Sequence, residues 1–207
     1  NLMGEMAKRI KPMCIVTTGD NHHGNGVKSV HDNDWKQNFE DIYTHSKLQI
    51  DWYPALGNHE YEGNTQAVID YSKVNSRWNM PARYYTKVIN AKGTSIRFII
   101  IDTTPLIKRY HNNHKYPDID EQNYEQQMEW LNSVLSNAKE DWVIVAGHHP
   151  IHAHTNKSRS ERVDMRNSVD KTLRQHKNVS IYICGHIHNF QHLRDKNSHI
   201  DYIVNSS

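Results

Sequence analysis

Four short turns in this chain pair glycine with histidine: Gly19-Asp20-Asn21-His22-His23, Gly57-Asn58-His59-Glu60, Gly147-His148-His149-Pro150 and Gly185-His186-Ile187-His188. Each follows a short apolar run that reads as a β-strand, so the turns fall where strands end. A fold that accommodates all four must gather four strand ends, and an α/β layered domain does this at the carboxyl edge of its sheets. Asp, Asn and His at such an edge are the hard and borderline ligands that a two-metal hydrolytic site requires.

Taken singly, the turns differ in weight. Gly19-Asp20-Asn21 is also an ordinary β-turn sequence. In a metal site Asp20 would be the carboxylate that bridges two ions, with Gly19 letting the backbone turn sharply beside it. Asn58 offers an amide oxygen, an unusual ligand. Paired His148 and His149 after an apolar strand are hard to explain by packing. His186 and His188 stand two apart, and on an extended backbone their rings would project to one side.

The rest of the chain supplies the alternation. Strands are expected at 13–18, 51–56, 83–89, 95–101, 142–146, 179–184 and 199–204. Asn90, Lys92 and Gly93 mark a hairpin turn, so the sheets are not purely parallel. Helices are expected at 34–46 (Trp35, Phe39, Ile42 and Tyr43 inward), 64–75, 121–138 and 160–176 (Val169 and Leu173 inward). Residues 102–120 read as a long polar loop, the kind that usually carries a role or is mobile.

Composition excludes several classes. A formal net charge of +2 over 207 residues argues against a nucleic-acid or anionic-membrane partner, and no stretch reaches the roughly 20 apolar residues of a membrane span. The alternating charges of 157–177 read as a solvated helix face. No charged-then-apolar leader opens the chain at Asn1-Leu2-Met3-Gly4. Cys14 and Cys184 read as small buried thiols, and a disulfide would need their Cα atoms within about 7 Å. The 16 histidines stand out, although two metals need only a few of them.

Together the turns resemble those of the calcineurin-like metallophosphoesterases, and within them the small purple, tartrate-resistant acid phosphatases. Phe39-Glu40-Asp41-Ile42-Tyr43, Tyr71-Ser72-Lys73, Arg77-Trp78-Asn79-Met80-Pro81 and Val145-Ala146-Gly147-His148 agree as well. The resemblance implies one domain over 1–207 with a four-layer α/β/β/α sandwich of mixed sheets. It implies Asp20 as the bridging carboxylate, Asn58, His148 and His186 as the divalent-metal ligands, and His188 as ligand to the other metal. His59 matches the histidine that contacts phosphate and assists the leaving group, and His154 or His152 matches a further loop histidine. The purple enzymes carry an iron-binding tyrosine where this chain has His23. Imidazole suits Zn, Mn or ferrous iron better than ferric iron, so the metal pair (Fe, Zn or Mn) stays open, with His23 a ligand or a neighbour of a water in that position. The family also opens with an Asp-x-x-Gly turn. No such turn precedes Asp20, so the N-terminal strand and its Asp are expected to be missing, and 1–12 to form the helix that comes after them.

The activity so implied is hydrolysis of phosphate monoesters, with hydroxide attacking phosphorus and His59 protonating the departing oxygen. The partner is a small phosphate ester. A phosphodiesterase on the same scaffold and an inactive metal-binding remnant are the alternatives. Resemblance also implies an extracytoplasmic home.

Overall fold

The computed structural model describes residues 2–206, so the expected ends of the domain, Asn1 and Ser207, lie outside the described residues. Among the described residues, eight strands form two sheets. The smaller pairs β1 (Cys14–Thr17) with β2 (Asp51–Pro54) in parallel, Cys14 opposite Asp51. The larger comprises β3 (Tyr85–Ala91), β4 (Thr94–Ile100), β5 (Trp142–Ala146), β6 (Val179–Cys184), β7 (Phe190–Arg194) and β8 (Asp201–Asn205), in the order β3-β4-β5-β6-β8-β7. Its centre is parallel, whereas β3/β4 and β7/β8 are antiparallel. This is the mixed α/β architecture the alternation predicts.

The buried faces follow the sequence pattern. Val143 and Val145 of β5, Tyr182 and Cys184 of β6, and Tyr202 and Val204 of β8 are buried. Helix α3 (Thr65–Asp70), shorter than the helix expected at 64–75, starts on an Asn64 cap, and helix α4 (Tyr124–Asn137) starts on an Asn123 cap and turns Gln127, Leu131 and Leu135 inward. Helix α1 (Leu2–Ile10) occupies the N-terminal stretch. Cys14 and Cys184 are free thiols.

Several boundaries differ from expectation. The helix expected at 34–46 is a short α2 (Asn33–Trp35) that runs into a wide π-turn over Lys36–Glu40. One extra residue in that turn rotates the residues after it, so Ile42 is exposed while Trp35 and Phe39 remain buried. A second π-turn, Arg166–Asp170, separates α5 (Arg159–Met165) from α6 (Lys171–Leu173). The segment read as a solvated face therefore buries Glu161, Arg162 and Asp170. Hairpin β3–β4 turns at Lys92-Gly93, both with positive φ, and Asn90 lies within β3. Strand β7 is not expected from the sequence, because its side chains are polar and half exposed. Residues 102–120 are a string of 3₁₀ turns with Ile107, Tyr110 and Ile119 buried, so this loop is part of the packing.

Backbone pairing continues past the strands and fixes the turns against one another. Ala55 N donates to Thr17 O (3.1 Å), Gly147 N to Ile183 O (3.1 Å) and Gly185 N to His148 O (3.0 Å). The His148 ring crosses to the other sheet, where Nδ1 lies 2.7 Å from Thr18 O. All four turns thus meet at the carboxyl ends of β1, β2, β5 and β6.

Candidate metal centre

The turns meet closely because two glycines permit it. Gly19 has φ +86°, and a Cβ there would stand 2.7 Å from His148 Nδ1 and 2.8 Å from Gly57 N. A Cβ at Gly57 would collide with the Asp20 carboxylate. Asp20 itself sits at φ +53°, a left-handed conformation that a non-glycine residue adopts at some cost. Glu60 holds it there. This buried carboxylate accepts from Gly57 N (2.6 Å), Asp20 N (2.9 Å) and His22 N (3.1 Å). Burial and the nearby Asp20 charge push the Glu60 carboxyl up to about 7, against the pull of those amides.

Around His148 Nε2 three other ligand atoms converge: Asp20 Oδ2 at 3.1 Å, His186 Nδ1 at 3.1 Å and Asn58 Oδ1 at 3.2 Å. His148 Nδ1 faces a carbonyl, which only accepts, so that nitrogen carries the ring proton. His186 Nε2 faces the Glu161 carboxylate at 2.7 Å and carries its proton for the same reason. The inward nitrogens of both neutral rings are then lone pairs, facing a carboxylate and an amide oxygen. A cation would satisfy that convergence. Ligands at 2.0–2.1 Å from one ion in a tetrahedron lie about 3.3 Å apart, close to the three distances from His148 Nε2. Without a cation a proton takes its place: burial opposes charging His148, but Asp20 and the Thr18 carbonyl outweigh it and raise its pKa. Asp20 is held low by the same pairing, against its own burial.

Behind these ligands lies a second set of groups. Glu161 takes the Tyr110 hydroxyl (2.9 Å) and Arg109 NH1 (3.0 Å) on its other oxygen. Burial works to raise this carboxyl, and the donors His186, Ser158 and Tyr110 hold it down at about 2. Thr103 Oγ1 accepts from His148 N (3.2 Å) and His149 N (3.1 Å) and lies 2.8 Å from His149 Nδ1. His149 Nε2 meets the Tyr110 hydroxyl at 3.2 Å. His149 is near enough to His148 and His186 to join a metal triad, but both its nitrogens are committed elsewhere.

The other side of Asp20 is open. Asp20, His23 and His59 bring ligand atoms within 4.8 Å of one another. His59 Nε2 lies 4.0 Å from Asp20 Oδ2, the same oxygen that meets His148. The rings of His23 and His59 lie 4.1 Å apart, tilted by 33°, and His188 approaches His23 at 5.4 Å. His23 and His188 are exposed. Desolvation and the neighbouring His59 lower the His23 pKa. His59 Nδ1 lies 2.6 Å from Gly24 O, so its proton is fixed there and Nε2 turns toward Asp20.

The extended backbone expected at His186 and His188 is not found. Ile187 N donates to Gly185 O (2.9 Å), closing a γ-turn of the rarer hand about His186 at φ +71°, and His188 has φ +47°. The turn sends His186 inward to His148 and leaves His188 on the open side. His22 is buried against Trp35, ring centres 4.2 Å apart, and burial lowers it to about 4. The two loop histidines part company. His152 lies 3.7 Å from Asp170 and packs edge-on to Tyr202, within a network that includes Arg174. His154 is exposed, its backbone N donating to Gln191 Oε1 (2.7 Å). Sequence reasoning missed Glu161, Thr103 and Tyr110. Nothing in their local sequence marks them, whereas Glu60 at least stands in a singled-out turn.

The profile of the calcineurin-like phosphoesterase family matches residues 1–190. Tartrate-resistant acid phosphatase type 5 of Oryctolagus cuniculus is 33% identical over 213 residues, covering 99% of this chain and 64% of that protein. Purple acid phosphatase 17 of Arabidopsis thaliana is 28% identical over 214 residues, covering 99% of this chain and 61% of its own length. The chain therefore spans a little under two thirds of these relatives. Among solved structures, GAP50, the anchor in the inner membrane complex of Plasmodium, superposes with a TM-score of 0.78 at 25% identity, covering 98% of this chain and 64% of that one. A dimetal phosphatase from Danio rerio shares the fold, with a TM-score of 0.57 at 18% identity over 97% of this chain and 74% of its own.

Proposed function

Because the chain belongs to the calcineurin-like phosphoesterase family, we propose that it hydrolyses phosphate monoesters at a pair of metal ions held by the four turns. The observation that carries this reading is the convergence of Asp20, Asn58 and His186 on His148 Nε2 at 3.1–3.2 Å. Asn58, His148 and His186 would hold one ion, His23 and His188 the other, with Asp20 shared between them. When bound, two such ions supply Lewis acidity, a lowered water pKa and charge neutralisation for a phosphate. The side that offers imidazoles and no phenolate favours divalent Zn, Mn or Fe(II) over ferric iron.

The chain's own groups do the rest. His59 keeps its Nδ1 proton on the Gly24 carbonyl and presents Nε2 toward Asp20; with a second proton on Nε2, the ring can donate to the departing ester oxygen. With His152 engaged by Asp170, His154 is the loop histidine proposed to assist. The substrate is a small phosphate ester and, by kinship with the acid phosphatases, the setting extracytoplasmic. No helix among the described residues is long and apolar enough to cross a membrane. The metal-loaded chain should hydrolyse p-nitrophenyl phosphate faster than bis-p-nitrophenyl phosphate between acidic and neutral pH. Faster cleavage of the diester selects a phosphodiesterase instead.

A second reading is a metal-binding scaffold without turnover: the Plasmodium structure that superposes with a TM-score of 0.78 is named for anchoring, not for a reaction. Bound metal with neither ester cleaved selects this reading.

A further inference from the structure

Resting on His186 as a metal ligand, we propose that Glu161 is the positioning residue of the buried site and couples the 102–120 segment to it. His186 offers its two nitrogens to two places. Nδ1 faces the ligand cluster, 3.1 Å from His148 Nε2, while Nε2 lies 2.7 Å from Glu161 Oε2 and 3.0 Å from Ser158 Oγ. A carboxylate can only accept, so it fixes the proton on Nε2 and leaves the Nδ1 lone pair for the metal. An imidazole bonded on its far nitrogen to a carboxylate is both oriented and a stronger donor. His186 needs that hold, because its γ-turn at φ +71° is not self-supporting.

Glu161 is in turn fixed from the 102–120 segment. Its side chain is 1% exposed, and Oε1 accepts from Tyr110 (2.9 Å) and from Arg109 (3.0 Å), whose own side chain is 58% exposed. A continuous path of hydrogen bonds therefore runs from a surface arginine, through a buried carboxylate, to the His186 ring whose other nitrogen faces the ligand cluster. Shifting the segment loosens Glu161 and with it the ring of His186.

The test measures Zn²⁺ affinity of the whole chain by chelator competition and records the visible spectrum of the Co²⁺-loaded form. Glu161→Gln should weaken the tighter site by about 10–100-fold, change the Co²⁺ bands and leave the weaker site alone. Tyr110→Phe, which keeps the ring and removes one donor, should weaken the same site by a few-fold. Unchanged affinity and spectrum in Glu161→Gln overturn the proposal. Should that variant fail to fold by circular dichroism, unchanged affinity in Tyr110→Phe does so. A wild-type chain that binds Zn²⁺ but cleaves no ester sinks the phosphatase reading while these affinities still decide the role of Glu161. A wild-type chain that binds no Zn²⁺ sinks both.

Discussion

The two sides of Asp20 are built on different principles. On one, His148 and Asn58 are buried, Thr18 and Glu161 set the direction of the His148 and His186 rings, and Thr103 holds the His148 backbone. On the other, His23 and His188 are exposed, and the contacts that gather them are ring against ring. The first side has its rings aimed in advance, so little ordering cost would oppose a metal there. The second must order two exposed side chains on binding. On the proposed reading, that difference gives one tight and one weak metal site.

The largest effect should come from removing the centre of the closed side. His148→Ala is expected to lower affinity at the tight site by more than about 100-fold, beyond the loss from an outer partner, and to abolish turnover. Metal counting after dialysis checks it. Retention of two metals per chain would break the contrast between the sides.

Acid should also act on the closed side of the metal-free chain. The Glu161 carboxyl is held down at about 2, below its value in an unfolded chain. A depressed carboxyl stabilises the fold above the unfolded pKa, and that stability is lost as pH falls through the folded one. Between pH about 4.5 and about 2 the wild type should lose roughly 2 kcal/mol from this group, after allowance for solvent screening. Glu161→Gln should lack that component. Urea unfolding at several pH values measures it, and parallel pH curves for the two proteins would refute it.

On the open side, His188→Ala should weaken only the second site, by about tenfold, because an exposed ligand is replaceable by water. Chelator titration resolves the two steps. The smallest effect is expected from His23→Tyr, a change at an exposed position that should shift stability by less than about 0.5 kcal/mol. Its readout is optical. If position 23 ligates metal, ferric loading should give the variant a visible band that the wild type lacks. An unchanged spectrum would place His23 outside the ligand set.

Legibility in the chain is greatest where the pattern is local. The strands at 142–146 and 179–184 match to the residue, because apolar β-branched runs bounded by turn residues leave little freedom. Strand β7 has no such run; its partner β8 makes it a strand. The π-turns are equally hidden, since one extra residue in a helical turn leaves the apolar spacing nearly unchanged. In the site, the glycine-histidine turns mark Asp20, Asn58, His148 and His186 by local pattern alone. They do not show that His186 and His188 part to opposite sides, because that depends on two positive φ angles.

Sequence alone thus determined the candidate donor types and the strand ends that carry them, because a glycine beside a donor residue is a local instruction. Only the tertiary structure decided which donors are aimed and which are loose. Aim comes from groups distant in the chain, such as Thr18 under His148 and Glu161 under His186. Their role lies in where the fold delivers a carbonyl or a carboxylate, and no local pattern encodes that.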